Sequence, residues 1–392
     1  MSATSVSTFL LFFAVVYLLI TSAVLLRNRF ELTPLSSEKN IPDEQPLVSV
    51  CIPARNEERT LGKLLQSLTL QDYPHFEVLV LDDHSEDRTA EVIQNYKDAF
   101  GPRLIHLNGT EKPDSWLGKP WACQQLGEAA SGEILLFLDA DTLLEKSAVS
   151  RVAASFENHP VSMITVWPRQ ILKTFWENSV LPLVYYALLT LLPAIYVFRD
   201  PRWMPRSMAR FFRGSFAAAN GQCIAFRTDV YREIGGHHSV HDKIVEDVEL
   251  ARSLKTSGYR IRMFQGCGTV SCRMYTSEKE MFAGFRKNFL AGFGYSIPLF
   301  VTGSILHLIV FIFPFLMLFT ALLNGSTADL WLSVAAVSLI FIHRFMLSLW
   351  FQWDPLYSLL HPIGVLWFQR LGIRVLADYL SGKKVEWKGR KV

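Results

Sequence analysis

The stretch Glu133–Asp141, EILLFLDAD, decides the fold, because it has the form of a buried strand that ends in two carboxylates. Its continuous apolar residues are typical of a strand covered on both faces in a parallel sheet. Asp139 and Asp141 follow at the end of this strand, one residue apart. Mg²⁺ and Mn²⁺ prefer oxygen ligands, and Mg²⁺ is commonly held by one or two carboxylates together with substrate phosphates. The stretch therefore predicts a metal site at a strand end.

Two further acidic pairs, Asp82-Asp83 and Glu246-Asp247, accompany other predicted elements. Between residues 45 and 295, apolar strand-like runs alternate with amphipathic helical stretches, which predicts an α/β fold with a mixed, mostly parallel sheet. In open sheets of this class, ligands bind beyond the carboxyl ends of the strands. An Asp-x-Asp motif alone also occurs in ordinary turns, but the three pairs together predict an enzyme that binds a nucleotide diphosphate.

The first two predicted strands, Val48–Ala54 and Phe76–Leu81, are each followed by polar residues suited to a nucleotide. Carboxylates and an arginine at these strand ends can hold a base or a ribose. The residues expected to bind the nucleotide-containing substrate are Pro53, Arg55, Glu57, Asp82, Asp83 and Gln222. Lys119 begins a predicted helix, where its charge and the free backbone N–H groups suit a diphosphate. Ser85 is expected to cap the helix that follows the second strand.

Asp139 and Asp141 are the expected ligands of a Mg²⁺ or Mn²⁺ ion between the two phosphates of the bound nucleotide. Asp139 is therefore also expected to contact this substrate. A departing nucleoside diphosphate builds up negative charge, which a metal ion stabilises. If the hydroxyl group of a second substrate displaces the nucleoside diphosphate from a sugar carbon, that hydroxyl needs a general base within hydrogen-bond reach. Asp247 is the first candidate for that base and Glu246 the second. Each cluster alone also has an ordinary explanation as a turn, a solvated lysine or the acidic first turn of a helix.

Composition excludes some classes of protein. Half of the 392 residues are hydrophobic and 19% are charged, which is apolar for a soluble protein. The net charge of +3 gives no support for nucleic-acid binding. The five cysteines have no Cys-x-x-Cys spacing, so we expect reduced thiols in a cytosolic setting rather than disulfides or a zinc site.

Hydrophobic residues concentrate in stretches that resemble membrane spans. Thr8–Leu26 is 19 residues without a charge, and the basic residues that follow it place everything after Arg27 in the cytoplasm. A cleaved signal peptide is the weaker alternative. Ile297–Leu323 and Leu330–Ile342 predict an antiparallel transmembrane hairpin that returns to the cytoplasm at Arg344.

Two other apolar stretches are expected to lie at the membrane surface. A span at Asn178–Phe198 would put the two halves of the predicted site on opposite sides of the membrane, so we predict an interfacial insertion over 172–213. A buried helical hairpin is the alternative. Residues 353–377 are broken by prolines, which favours an interfacial or re-entrant segment and leaves a fourth span open. The basic tail KKVEWKGRK at 383–391 suits anionic headgroups, or docking near the site.

The order of these motifs resembles that of the family-two glycosyltransferases with a GT-A fold, over about residues 46–295. The motifs that carry the resemblance are PARNEE at 53–58, LDDHSEDRT at 81–89, LGKPWA at 117–122, FLDAD at 137–141 and IVEDVELA at 244–251. The resemblance implies that Asp82 or Asp83 contacts the nucleotide and that Asp139 and Asp141 bind metal and diphosphate. It also implies that Asp247 is the base of an inverting transfer.

The processive synthases of that family carry a Gln-x-x-Arg-Trp segment, which this sequence lacks. Its absence implies a single transfer rather than polymerisation. Arg286 and Lys287 lie at a similar distance after the base and are expected to contact the diphosphate instead.

Features near both ends resemble a narrower group, the diaponeurosporenoate glycosyltransferases of carotenoid biosynthesis. They are one N-terminal span, Cys272–Tyr275, the C-terminal hairpin, His361-Pro362 and the tail at 385–390. Hopene-associated glycosyltransferases share the general layout, including Asp200-Pro201. One chemical point opposes the carotenoid group, because a carotenoid carboxylate is already ionised at neutral pH and needs no base to form an ester.

The prediction is therefore a membrane-bound, metal-dependent, inverting and non-processive glycosyltransferase. It would move a sugar, with UDP-glucose as the first donor candidate, to an apolar lipid or carotenoid at the plasma membrane, best a diapocarotenoid acid. Hopanoid, sphingolipid and glycerolipid acceptors are alternatives, as is a catalytically silent scaffold that binds a sugar nucleotide. The expected parts are a transmembrane helix at 1–29, a cytoplasmic catalytic domain at 45–295, a transmembrane hairpin at 297–351, and an interfacial segment with a basic tail at 353–392.

Overall fold

The computed structural model of the protein describes residues 3–38, 45–324, 326–383, 386–387 and 390–391. The chain divides into two compact units. The sheet unit takes in the described parts of Glu31–Ile171 and Ala194–Met274, and the helical unit those of Met1–Phe30, Leu172–Pro193 and Tyr275–Val392. The sheet unit thus covers most of the predicted catalytic domain.

The sheet unit is built on a seven-stranded sheet in the order β3-β2-β1-β4-β8-β6-β9, beside a small sheet in the order β5-β10-β7. The strands are β1 (Val48–Ala54), β2 (Phe76–Asp82), β3 (Leu104–Asn108), β4 (Ile134–Leu138), β5 (Thr142–Leu144), β6 (Met163–Trp167), β7 (Arg169–Gln170), β8 (Cys223–Arg227), β9 (Ile261–Gln265) and β10 (Val270–Cys272). In the large sheet, β8 runs antiparallel to β4 and β6, and the other pairs are parallel. The predicted mixed, mostly parallel sheet is confirmed.

The described part of the sheet unit also contains nine helices, several of which bury apolar side chains. They are α2 (Leu61–Thr69), α3 (Thr89–Asn95), α4 (Lys97–Phe100), α5 (Gly118–Ala129), α6 (Ala148–Asn158), α8 (Ile195–Phe198), α9 (Arg206–Phe212), α10 (Thr228–Glu233) and α11 (Glu246–Thr256). In α2, four leucines at helical spacing are fully buried and join the core formed with β1 and β2. All five residues of β4 are buried, as expected for a central strand.

The helical unit contains the long apolar helices of the chain. Its elements are α1 (Ala3–Glu31, which extends one residue beyond the unit), α7 (Phe175–Leu191), α12 (Glu278–Asn288), α13 (Ile297–Phe311), α14 (Phe313–Asn324), α15 (Thr327–Trp350), α16 (His361–Leu380), β11 (Glu386–Trp387) and β12 (Arg390–Lys391). Among the described residues, three helical segments are long and apolar enough to cross a membrane, namely Val6–Glu31, Ile297–Leu323 and Thr327–Trp350. They coincide with the predicted N-terminal helix and C-terminal hairpin.

Two details of the helical unit go beyond the sequence prediction. The predicted insertion at 172–213 is divided, because 172–193 belong to the helical unit and 194–213 to the sheet unit. Helix α15 continues past Ile342 to Trp350, so Arg344 lies inside a helix and is fully buried. The predicted docking of the basic tail depends partly on residues 384–385, 388–389 and 392, which lie outside the described residues.

Candidate active site

The loops that follow β1 and β2 are joined side by side by hydrogen bonds. Nη1 of Arg55 donates to the carbonyl of Asp83 at 2.6 Å, and the backbone N–H of Glu57 donates to the hydroxyl of Thr89 at 2.8 Å. Asp82 ends β2 and, like Asp83, is largely buried. Because β1 and β2 are parallel neighbours, these residues meet at one edge of the sheet, where a nucleotide was predicted to bind.

Ser85 does not cap α3, and that prediction is wrong. The helix begins at Thr89, whose backbone N–H donates to Oδ1 of Asp87 at 3.0 Å. The hydroxyl of Ser85 instead accepts a hydrogen bond from the backbone N–H of Asn56 at 3.0 Å. The residues between Asp82 and Thr89 thus form a loop that is fastened to the loop after β1, which makes the nucleotide edge a fixed surface.

Lys119 joins two of the predicted acidic clusters. Its Nζ lies 2.7 Å from Oδ1 of Asp139 and 3.2 Å from Oε1 of Glu246, while 39% of its side chain stays exposed. Burial lowers the pKa of Lys119, but the attraction of Asp139 and Glu246 is stronger, so the pKa lies well above its usual range. A permanently charged lysine therefore sits between the end of β4 and the start of α11.

Asp247 stands in the first turn of α11 with both carboxylate oxygens held by backbone donors. Oδ2 accepts from the N–H of Gly221 at 2.7 Å, and Oδ1 accepts from the N–H of Val248 at 2.8 Å. Burial and then the charge of Glu246 raise the pKa of Asp247 to about 6, against the lowering effect of Lys119. A fixed carboxylate with a pKa near 6 is suited to act as a general base near neutral pH.

Asp141 is the other strongly perturbed carboxylate. Burial, followed by the charges of Asp139 and Glu57, raises its pKa to about 7. Its Oδ1 is buried and has no hydrogen-bond partner among the described residues. A buried carboxylate oxygen without a donor is unfavourable unless a cation or a donor group satisfies it.

These observations fit a divalent cation shared with the donor. In the described part of the chain, no group of three or more His, Cys, Asp or Glu residues is placed to hold a metal by itself. Two carboxylates, Asp139 and Asp141, with phosphate oxygens and water would complete a Mg²⁺ or Mn²⁺ shell. The residues therefore fit a metal that binds with the nucleotide, rather than a preformed protein cage.

Several predicted residues line one small cavity of the sheet unit. Among them are Pro53, Lys119, Asp139, Glu246 and Asp247. The carboxyl ends of β1 and β4 and the first turn of α11 are thus brought together, as predicted. Residues predicted to bind the donor therefore line the same small space as the predicted base.

Gln222 has a different environment. Its Nε2 donates to Sγ of Cys272 at 3.1 Å, and its Oε1 accepts from Nε2 of Gln170 at 2.9 Å. Its backbone carbonyl accepts from the N–H of Asp139 at 3.2 Å. These contacts make Gln222 a support for the end of β4, and its contact with the donor stays a prediction.

Arg286 and Lys287 lie on α12 of the helical unit. Nε of Arg286 donates to Oδ2 of Asp378 at 2.6 Å, so its charge is paired within that unit. The predicted contact of these two residues with the diphosphate stays a prediction.

Gly221 is the site residue that the sequence did not reveal. A Cβ at this position would lie 3.3 Å from both Oδ2 of Asp247 and Nζ of Lys119. A single glycine before a strand is too common a pattern to signal a site. Only the fold shows that its N–H holds the carboxylate of Asp247.

Comparisons with known proteins agree with this geometry. The model of the family "Glycosyl transferase family 2" matches residues 49–235, and that of "Glycosyl transferase family 21" matches residues 202–392. The 4,4'-diaponeurosporenoate glycosyltransferase of Staphylococcus aureus is 26% identical over 352 residues, which are 88% of this chain and 88% of that protein.

A solved structure supports the fold. The mannosyltransferase PcManGT from Pyrobaculum calidifontis, in complex with GDP-Man and Mn²⁺, matches with a TM-score of 0.51 and 18% identity. The match covers 91% of this chain and 99% of that one. At this identity it speaks for the fold alone. The sequence motifs, the family match over residues 49–235 and the sheet topology agree, so this part of the chain is similar to the family-two glycosyltransferases, and the chain has a GT-A fold with added apolar helices.

Proposed function

We propose that this protein transfers one sugar from a nucleoside diphosphate donor to an apolar acceptor with inversion at the sugar carbon. UDP-glucose is the first candidate for the donor. The observation that carries the proposal is that Asp247 is fixed by the N–H of Gly221 at 2.7 Å in the cavity that Lys119 and Asp139 also line. A fixed carboxylate close to a lysine charge suits a single displacement, with the carboxylate as base and the lysine attracting the leaving group.

The reaction follows from this arrangement. A carboxylate oxygen of Asp247 accepts the proton of the acceptor hydroxyl while that hydroxyl oxygen bonds to the sugar carbon. The bond from the sugar carbon to the phosphate oxygen breaks, and the nucleoside diphosphate leaves with the electron pair. One displacement from the opposite face inverts the configuration at that carbon. Lys119, with its charge kept by Asp139 and Glu246, attracts the departing diphosphate.

Asp139 and Asp141 are the residues that would hold Mg²⁺ or Mn²⁺. When bound, the cation supplies positive charge to the diphosphate as it leaves. The unpartnered, buried Oδ1 of Asp141 supports this assignment within the described residues. The chain's own part is to keep both carboxylates at the end of β4, where the Asp139 N–H is fixed by the Gln222 carbonyl.

Two acceptor classes remain, and different observations favour them. The similarity to a protein named 4,4'-diaponeurosporenoate glycosyltransferase favours a carotenoid acid. A carboxylate acceptor is already ionised and needs no base, whereas a hydroxyl acceptor does. The backbone-held carboxylate of Asp247, with its pKa near 6, therefore favours a lipid hydroxyl such as that of a hopanoid, sphingolipid or glycerolipid.

The membrane helices support an apolar acceptor of either class. Three described helical segments are long and apolar enough to cross a bilayer, which would keep the enzyme where such acceptors dissolve. The basic residues after the first helix favour a cytoplasmic catalytic domain at the plasma membrane. A catalytically silent scaffold is disfavoured by the presence of Asp139, Asp141 and Asp247 together.

The test is nucleotide release by the detergent-purified protein with UDP-glucose and Mg²⁺ or Mn²⁺, with and without total lipid extract from its host. Mass spectrometry of the lipids would identify a hexosylated product and thereby the acceptor. Asp141→Asn should abolish transfer, and the exposed Asp242→Asn is the matched control with the same chemical change. Undiminished turnover in Asp141→Asn would contradict the proposed mechanism. Metal-dependent UDP binding without any product would contradict the choice of sugar or acceptor.

A further inference from the structure

A second cavity, of about 590 Å³, lies in the sheet unit. It is bordered by the residues before β6, by the start of β9, and by the chain around Phe198 at the end of α8. Because β8 is antiparallel to both β4 and β6, strands β6 and β9 point in the same direction as β4. Their amino ends therefore lie at the sheet edge opposite to the candidate active site.

Helix α11 runs from the candidate active site to the second cavity. Asp247 is in its first turn, and Lys255, which lines the second cavity, is in its last turn. With a rise of 1.5 Å per residue, the two residues are about 12 Å apart along the helix. The second cavity is therefore distinct from the donor and base site.

The charge of this cavity is strongly unbalanced. Among the described residues that line it, six are arginine or lysine, one is His159, and only Asp200 is acidic. The arginines and the lysine are Arg199, Arg202, Arg213, Lys255, Arg260 and Arg262. Asp200 pairs with Arg213, and Arg199 pairs with Glu31 at 3.7 Å. Four cations thus line the space without an ion-pair partner in the described part of the chain.

Two of these cations are held in place by the protein. Lys255 is 4% exposed and donates to the carbonyl of Tyr196, and burial lowers its pKa to about 8. The guanidinium of Arg262 lies 5.2 Å from the ring centre of Phe198, and its buried Nε has no partner among the described residues. A buried lysine, a half-buried arginine and an unsatisfied donor at one cavity are the features expected of an anion site.

We propose that this cavity binds a phosphate group, and specifically the headgroup phosphate of an anionic membrane lipid. Arginine and lysine together are well suited to phosphate, since the guanidinium offers paired donors and the ammonium a compact charge.

The neighbouring surface favours a lipid as the source of the phosphate. Trp203 and Phe211 are 69% and 81% exposed, and they alternate with Arg202, Arg206 and Arg210. Large apolar side chains interleaved with arginines are typical of a segment that lies among lipid headgroups.

The test measures ligand binding by the full-length protein in neutral detergent. The probes are short-chain phosphatidylglycerol, short-chain phosphatidylcholine and inorganic phosphate. The cavity variant is Arg202→Gln combined with Arg262→Gln. The matched control is Arg103→Gln combined with Arg232→Gln, which removes the same charge from exposed residues that neither line the cavity nor lie in the 202–211 segment.

We expect phosphatidylglycerol to bind and the cavity variant to bind it at least about tenfold more weakly, as for the loss of a charge-assisted hydrogen bond. The control should change affinity by less than about threefold. If inorganic phosphate binds as tightly as the lipid, the site is for a soluble phosphate and the lipid assignment is wrong. Equal binding of phosphatidylcholine, or an equal loss in the control, would overturn the proposal. If the double variant fails to fold, the same affinity measurement is made with Arg202→Gln alone, because Arg202 is exposed and its replacement should not disturb the fold.

Discussion

Nζ of Lys119 lies 2.7 Å from Oδ1 of Asp139, so one lysine links the predicted metal-binding strand end to the acidic start of α11. The same Nζ is 3.2 Å from Glu246, the neighbour of the proposed base. Burial raises the pKa values of both Asp141 and Asp247, and the charge of Lys119 opposes the increase in both. Lys119 therefore favours the ionised forms of Asp141 and of Asp247, the proposed base.

Replacing Lys119 by Gln should shift the pH dependence of transfer. Asp247 accepts a proton only when ionised, so the rate should fall as the pH drops through its pKa of about 6. Without the lysine charge, this pKa rises further, and the acid limb of the kcat/KM profile should move to higher pH. The apparent affinity for UDP-glucose should also fall.

The measurement is the pH profile of UDP release by wild-type protein and by Lys119→Gln. Lys97→Gln, which changes an exposed lysine, is the control and should leave the acid limb in place. An acid limb at the same pH in Lys119→Gln would show that Lys119 does not influence the base.

Asp247→Asn separates the two acceptor classes. For a hydroxyl acceptor, loss of the general base should lower kcat by about 10² to 10⁴, because the amide cannot take the proton. For a carboxylate acceptor, the loss should be much smaller, since no proton has to be removed. The measurement is transfer to each acceptor class, with UDP binding as a check that the donor site is intact.

Asp242→Asn, a change in an exposed carboxylate close in sequence to Asp247, is the control and should retain full activity. If Asp247→Asn retains activity toward every hydroxyl acceptor tried, Asp247 is not the base.

Gly221→Ala tests whether the backbone N–H at this position orients the base. The added Cβ would lie 3.3 Å from Oδ2 of Asp247 and from Nζ of Lys119, so at least one of them must move. Small displacements of catalytic groups are costly, and we expect kcat to fall on the order of tenfold. The thermal midpoint should change little. Gly292→Ala is the control, because nothing lies within 4 Å of a Cβ there. An unchanged kcat in Gly221→Ala would mean that the contact has no role.

The sheet and the strand-end carboxylates could be predicted because their signals are local. β4 is a run of buried apolar residues, and Asp139 and Asp141 follow it directly. The strand register then places the ends of β1 and β2 beside each other, with Ala54 opposite Asp82. Neighbouring parallel strands joined by helices have their carboxyl ends at the same edge of the sheet, and the alternation of strands and helices can be read from the sequence.

The contacts between distant residues could not be predicted. Gly221 and Asp247 are 26 residues apart, and the pattern around neither one indicates a hydrogen bond between them. The start of α3 at Thr89 could not be predicted either, because Ser85 bonds to the loop after β1 instead of capping the helix. The sequence predicts Arg344 to be a cytoplasmic flank because the apolar run ends there, whereas helix α15 continues to Trp350.

Arg344→Met should stabilise the protein. Arg344 is 0% exposed in α15, and its Nε and Nη1 have no partner among the described residues. Replacing a buried charge that lacks good pairing by an apolar side chain of similar size is often worth about 1 to 4 kcal/mol. We therefore expect a higher thermal midpoint in detergent, whereas Arg374→Met, which removes an exposed arginine that pairs with Asp378, should not raise it.

A lower midpoint in Arg344→Met would mean that the charge is paired in the membrane. A higher midpoint with lost transfer would mean that the protein retains this arginine for acceptor binding, because a buried charge that weakens the fold persists only where function needs it.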